Sequence, residues 1–134
     1  MDLLNAFRPS LPPTVGYMKN REFEAMEQDS LLLKGTLAGF ADESKILIDL
    51  LDPRWGEKYV SIVVEAKYGK VKTVVIPDFS HLGFDDCWES IIMDVAELSA
   101  FGVRLISIRD QFDSAKQGYF SAIAMLAKRV QLAA

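Results

Sequence analysis

The sequence predicts an α/β domain, a mostly parallel sheet of four to five strands between two layers of helix. Three observations carry this. Short apolar or β-branched runs alternate along the chain with stretches of helical period. The helical stretches carry recognisable start residues, and several stop at a glycine. Successive strands start roughly 30 residues apart, the length of a strand, a helix and a return. Parallel neighbours joined by right-handed crossovers need that helix between them.

Each element has its own justification. Residues 1–13 end in Leu-Pro-Pro and carry no period, so they read as an arm before a domain at 14–134. Val15 to Met18 is a short apolar run suited to a central strand, and Asn20 can cap the helix that follows. In that helix Phe23, Met26, Ser30, Leu33 and Leu37 recur at steps of three and four, which predicts one buried face. Lys45 to Leu50 reads as the second strand. Asp52-Pro53 then reads as a helix start, with Trp55, Tyr59, Ile62, Val63 and Ala66 on one stripe and Gly69 as the stop.

Lys72 to Ile76 is β-branched and continuous, the pattern of a strand covered on both faces. Asp85 or Asp86 can cap the next helix, whose stripe is Trp88, Ile91, Ile92, Val95 and Leu98, ending at Gly102. Val103 to Ile108 is the fourth strand. Ser114 to Gln117 has a capping-box pattern that opens the last helix, a long one. That helix places Phe120, Ile123, Ala127 and Val130 on one side and Tyr119, Met125, Leu126 and Leu132 on others, more apolar surface than one sheet face covers.

Composition narrows the function classes. The chain has 134 residues, 50% hydrophobic and 25% charged, which fits one folded domain and excludes disorder as its main state. No apolar run approaches the roughly 18 residues of a membrane span, and the first residues lack the pattern of a secretion signal. One cysteine, Cys87, forms no internal disulfide, which suits the cytoplasm. With one histidine and one cysteine, the usual zinc ligand set is missing, and no cofactor or metal is expected. A net charge of −4 speaks against this domain gripping nucleic acid by itself. Asp85, Asp86 and Glu89 could hold magnesium, but acids at a helix start are favoured by the helix dipole alone.

In parallel sheets ligands gather beyond the carboxyl ends of strands, here Lys19 to Arg21 and Asp78 to Asp85. These loops carry a resemblance. The segment VVIPDFSHLGFD, residues 74–85, resembles the "strand, Asp-Leu-Ser-Arg-Leu-Gly-Arg" signature of the serine recombinases, the resolvase/invertase family. FGVRLISIRDQFDS, residues 101–114, resembles that family's "Gly-Val-x-Leu-Ile-Ser-Ile" segment, and Gly118 stands where its final long helix begins. Gly16 to Lys19 is similar to its opening "Gly-Tyr-x-Arg-Val-Ser". The likeness spans roughly residues 15–132 and implies a resolvase-like, flavodoxin-like three-layer fold.

The resemblance also implies a chemistry and shows it to be degenerate. The family's serine attacks a DNA phosphodiester, forms a phosphoserine link and releases a 3′-hydroxyl, while arginines neutralise the phosphate. Here the serine position falls at Arg21 and the preceding arginine at Lys19; the two arginines after the third strand fall at His81 and Phe84. No serine lies between Ser10 and Ser30, and Ser80 is on the wrong strand for the nucleophile. Histidine offers fewer donors than the arginine fork, and phenylalanine none. No catalytic residue is therefore expected, and Lys19, Arg21, Arg54 and His81 are left as weak DNA phosphate contacts.

The family dimerises through its last helix, which points to a homodimer here through Tyr119, Phe120, Ile123, Leu126 and Val130. The family's DNA-binding region follows that helix, whereas residues 128–134 supply two cations, Lys128 and Arg129. The expected role is a dimerising or regulatory interaction module without strand cleavage; a recombinase fragment that binds or cuts DNA is the alternative. A phospho-receiver reading of Asp78 fails because Lys19-Asn20-Arg21 occupies the place of the acidic pair such domains need.

Overall fold

A computed structural model describes residues 11–19, 23–49, 56–83 and 87–133. In chain order the elements are β1 (Thr14–Lys19), α1 (Phe23–Leu37), β2 (Ser44–Asp49), α2 (Glu57–Lys67), β3 (Thr73–Ile76), α3 (Trp88–Ala100), β4 (Arg104–Ser107), β5 (Phe112–Asp113), α4 (Ser114–Gln117) and α5 (Tyr119–Ala133). The sheet order is β2-β1-β3-β4-β5. Every pair is parallel except β4–β5, which is antiparallel. The α/β class, the predominantly parallel sheet and the long last helix are those the residue pattern predicts.

The strands' alternation divides the core. Val15, Tyr17, Val74, Ile76 and Leu105 face a large cluster built with Ile62 and Ala66 of α2, Ile91, Val95 and Leu98 of α3, and Ala122 and Leu126 of α5. Met18 and Val75 face the other way, against Leu33 and Leu37 of α1. Three helices thus cover one face and a single long helix the other. All four β3 residues are buried, as its unbroken β-branched run requires.

Helix starts differ from the sequence reading in instructive ways. The helix expected from Asp52-Pro53 begins at Glu57, after Gly56 in a left-handed conformation (φ 51°). The carboxylate that satisfies its first N–H groups is Asp49, at the end of β2, which accepts from Lys58 at 2.8 Å and Tyr59 at 3.0 Å. Asn20, Asp52, Pro53, Trp55, Asp85 and Asp86 lie outside the described residues. The capping box expected at Ser114 is displaced by one residue. Asp113 is the cap, accepting from the Ala115 N–H, and Gln117 returns to accept from the Asp113 N–H. Ser114 is instead drawn to the sheet, accepting the Leu105 N–H at 2.8 Å. This single turn ends at Gly118, φ 79°, so the last helix proper starts at Tyr119.

Of the expected arm at 1–13, residues 1–10 lie outside the described residues. Residues 11–13 are tied to the domain: the Leu11 N–H donates to Glu65, and the Pro13 carbonyl accepts from Lys72 and Thr73. Among the described residues no helix is long and apolar enough to cross a membrane.

Candidate functional site

The carboxyl ends of β1 and β3 meet at a polar cluster. Beyond β3, Asp78 caps a single 3-10 turn, Phe79–His81, by accepting the N–H and hydroxyl of Ser80. That turn swings His81 inward until it is 0% exposed. Its Nδ1 accepts the backbone N–H of Lys19 at 2.9 Å, so the proton of the neutral ring sits on Nε2. Nε2 stands 3.1 Å from Asp29 Oδ2 and 4.0 Å from Asp78 Oδ2. Asp29 comes from α1 and is itself buried. Arg109, after β4, bridges both carboxylates, at 2.6 Å from Asp29 Oδ1 and 2.9 Å from Asp78 Oδ2. Four separate segments are thereby tied together by hydrogen bonds and ion pairs.

A second knot lies beside it. Asp110 accepts from the Phe79 N–H at 2.9 Å, the Ser107 hydroxyl at 2.6 Å and Arg129 of α5 at 2.6 Å. The Arg129 guanidinium also lies 5.1 Å from the centroid of the Trp88 ring, a cation–π distance. Lys19 turns its ammonium to the carbonyls of Leu82 (3.3 Å) and Gly83 (2.6 Å), while the Gly83 N–H donates to Asp94 of α3 at 2.7 Å. Gly83 has φ 85°, and a Cβ there would lie 2.8 Å from Ile91 Cγ1 and 3.1 Å from its backbone nitrogen. Gly83→Ala is therefore expected to cost about 2–3 kcal/mol, from left-handed strain plus overpacking. A urea unfolding midpoint lowered at constant m-value would show it.

Among the described residues of the cluster, Asp29, Asp78 and Asp94 stand with Lys19 and Arg109. Burial works to raise the Asp78 carboxyl, but the Ser80 hydroxyl, His81 and Arg109 outweigh it and hold the group below the usual carboxylate range. Asp94 goes the other way: burial raises it, against the lowering effect of the Gly83 N–H. The Tyr17 hydroxyl, buried and donating to Asp49 at 2.8 Å, is likewise pushed well up, first by burial.

These opposite shifts give opposite pH dependences. A carboxyl lowered in the fold stabilises it above its unfolded pKa, and that stability is lost as pH falls through the folded value. A raised one costs stability as pH rises from the unfolded value through the folded one. Asp94→Asn keeps an oxygen acceptor for Gly83 and removes that cost. The variant is expected to be at least as stable as the parent at pH 7 and to lack Asp94's share of the decline that begins above about pH 4. Thermal midpoints measured from pH 3 to 8 check both statements.

The residues singled out from sequence are placed unevenly. Lys19 and His81 meet as described, whereas Arg21, Arg54 and Phe84 lie outside the described residues. His81 is fully buried, and its Nδ1 is bonded to the Lys19 N–H. Of the expected dimer residues, Leu126 is 0% exposed in the domain's own core. Tyr119, Ile123 and Val130 are half-buried, with the Tyr119 hydroxyl donating to the Val103 carbonyl. Only Phe120 of the five stands out, at 85% exposure. Cys87 stands at the N-terminal boundary of α3, half-exposed and without a side-chain capping bond, its Sγ 3.0 Å from Glu89.

Sequence reasoning passed over Asp29, Asp94, Arg109 and Asp110. A signal for the first two exists: Asp29 sits three residues after Met26 and four before Leu33, inside an apolar stripe, and Asp94 holds the same relation to Ile91 and Leu98. A carboxylate in such a place needs a buried partner.

No protein-family model matches the chain, and no curated protein does. Solved structures do. The N-terminal catalytic domain of TP901-1 integrase superposes with a TM-score of 0.69 at 8% identity, over 89% of this chain and 94% of that one. A resolvase family site-specific recombinase from Streptococcus pneumoniae gives a TM-score of 0.70 at 17% identity, over 89% of this chain and 85% of the other. Together with the strand order and the long final helix, these likenesses show that the chain has the fold of a serine-recombinase N-terminal domain.

Proposed function

We propose that this recombinase-like domain has lost strand-cleaving chemistry and serves as a dimerising, regulatory interaction module. One observation carries the reading. His81, where the family pattern sets an arginine, is fully buried between the Lys19 N–H and two carboxylates, so it offers no donor to a phosphate. Lys19 commits its ammonium to two backbone carbonyls of the same loop. The alternative, a fragment gripping DNA through Lys19, Arg21, Arg54 and His81, thereby loses support at two of its four positions. A cytoplasmic setting fits a chain whose only cysteine is Cys87.

For self-association, support comes from α5, where Phe120 (85% exposed), Ala124, Ala127 and Leu132 (78%) leave an apolar surface outside the core. Small residues at 124 and 127 let a second helix approach closely. Sedimentation velocity tests this: the parent is expected to sediment as a dimer at micromolar concentration, and Phe120→Glu to dissociate at least tenfold more readily without loss of folded-state stability. A parent that remains monomeric at the highest soluble concentration contradicts the dimer.

A further inference from the structure

α2 covers the sheet with one side and leaves apolar residues on the other. Ile62 and Ala66 are buried against the core, whereas Val60, Val64 and Tyr68 remain 49%, 38% and 73% exposed. Their i, i+4, i+8 spacing stacks them in one stripe, roughly 12 Å long at about 1.5 Å per residue. A surface helix ordinarily turns charged or polar residues to water along that side. One exposed valine needs no explanation, but a continuous apolar stripe marks a surface that something covers.

One flank of that stripe is already held by the chain itself. The Leu11 N–H donates to Glu65 Oε2 at 2.6 Å, and Leu11 packs against the core cluster that contains Ile62 and Ala66. At about 100° per residue, Glu65 lies roughly 60° round the helix from Ile62 and roughly 60° from Tyr68, between the buried side and the stripe. The Pro13 carbonyl accepts from Lys72 and Thr73, which fixes the direction from which the chain enters β1. The chain therefore meets α2 at the border of the stripe, with ten residues preceding Leu11 in the sequence. Among those ten are Leu3, Leu4, Ala6 and Phe7, with one acid, Asp2, and one base, Arg8. Phe7 stands four residues before Leu11, a reach of up to roughly 13 Å, which matches the length of the stripe.

We propose that the chain's own residues 1–10 dock along the outer side of α2, with Leu4 and Phe7 set on Val60, Val64 and Tyr68. Leu11 makes the first contact of this interface, so the docked segment continues a contact that the structure already shows. The tether also favours this occupant, because a segment joined at Leu11 meets α2 at a far higher effective concentration than a separate chain does. The side-chain charges of Asp2 and Arg8 cancel, so the docking is driven by apolar contact and not by charge. Docked in this way, the segment closes the face of α2 to other partners and braces the entry to β1. The interface shares no residue with α5 and stands whichever way the dimer test falls.

The experiment places a nitroxide at residue 5 of the full chain, through Asn5→Cys in a Cys87→Ser background, and reads paramagnetic broadening of valine methyl signals by NMR. The Val60 and Val64 methyls are expected to lose most of their intensity, while Val130 on α5 keeps its own. Phe7→Glu in the segment and Tyr68→Glu at its exposed position on the helix are each expected to return the larger part of the lost intensity. Neither is expected to disturb the core, which the unchanged methyl shifts of Val74 and Val95 would report. Without the nitroxide, Phe7→Glu should also raise the rate of hydroxyl-radical oxidation of Tyr68 several-fold. A second sample mixes nitroxide-bearing chains with isotopically labelled chains that carry none, and the labelled chains are expected to show no broadening. Full intensity at Val60 and Val64, broadening on α5 instead, or broadening that survives both substitutions overturns the proposal. So does equal broadening in the mixed sample, which would put the segment of a second copy on α2.

Discussion

His81→Ala is expected to destabilise the domain by about 3–4 kcal/mol, because it removes the acceptor of a part-buried amide, strips a buried carboxylate of a neighbour and empties a fully buried site. The amide is that of Lys19, whose N–H has His81 Nδ1 as its acceptor, and the carboxylate is Asp29, 3% exposed at its side chain. The imidazole is fully buried, so water does not replace it without opening the turn Phe79–His81. An unfolding midpoint in urea shifted strongly at constant m-value is the expected result. A shift below about 1 kcal/mol would mean that the ring fills space and little more. His81→Arg is expected to fare no better, since Arg109 already occupies both neighbouring carboxylates.

Arg109→Met should cost about 2–3 kcal/mol, less than full burial implies, because the arginine is partly solvated while Asp29 is not. The guanidinium is 40% exposed and contacts Asp29 and Asp78 at 2.6 and 2.9 Å. Removing it leaves the buried Asp29 carboxylate on α1 with His81 as its ion-pair neighbour among the described residues. Adding Asp29→Asn removes that charge, and the double variant is expected to recover at least about half of the loss. A coupling energy below about 0.5 kcal/mol in this cycle would show that the two residues act independently.

Much of the fold was legible in the residues themselves, for physical reasons that also explain the misses. Val74 to Ile76 announces a strand buried on both faces because β-branched side chains suit a pleated surface. The stripes of α1 and α3 repeat at the helical period because one side of each meets the sheet. Local capping was read less well. Asp49 caps α2 from eight residues before its first helical position, a partnership made by tertiary approach rather than by sequence spacing. Ser114 gave up its expected cap because the Leu105 amide needed an acceptor at the sheet.

The candidate site was legible in place more than in content. The loops after β1 and β3 follow from topology, and the sequence has His81 and Phe84 where the resemblance sets arginines. That His81 turns inward was not readable, because its acceptor role depends on Lys19, 62 residues away in sequence, and on Asp29 arriving from α1. In the same way, Leu126 reads as surface on a helix apolar on every side. It is core because α5 packs on α3 as well as on the sheet.

The most direct test of the central claim asks whether this cluster can still carry phosphoryl transfer. Purified protein is incubated with supercoiled plasmid, quenched with detergent, and assayed for nicked circles and for peptide-linked phosphoserine by mass spectrometry. The account predicts neither product at any salt concentration. A nick whose 5′ end is covalently held by a serine of this chain would contradict it.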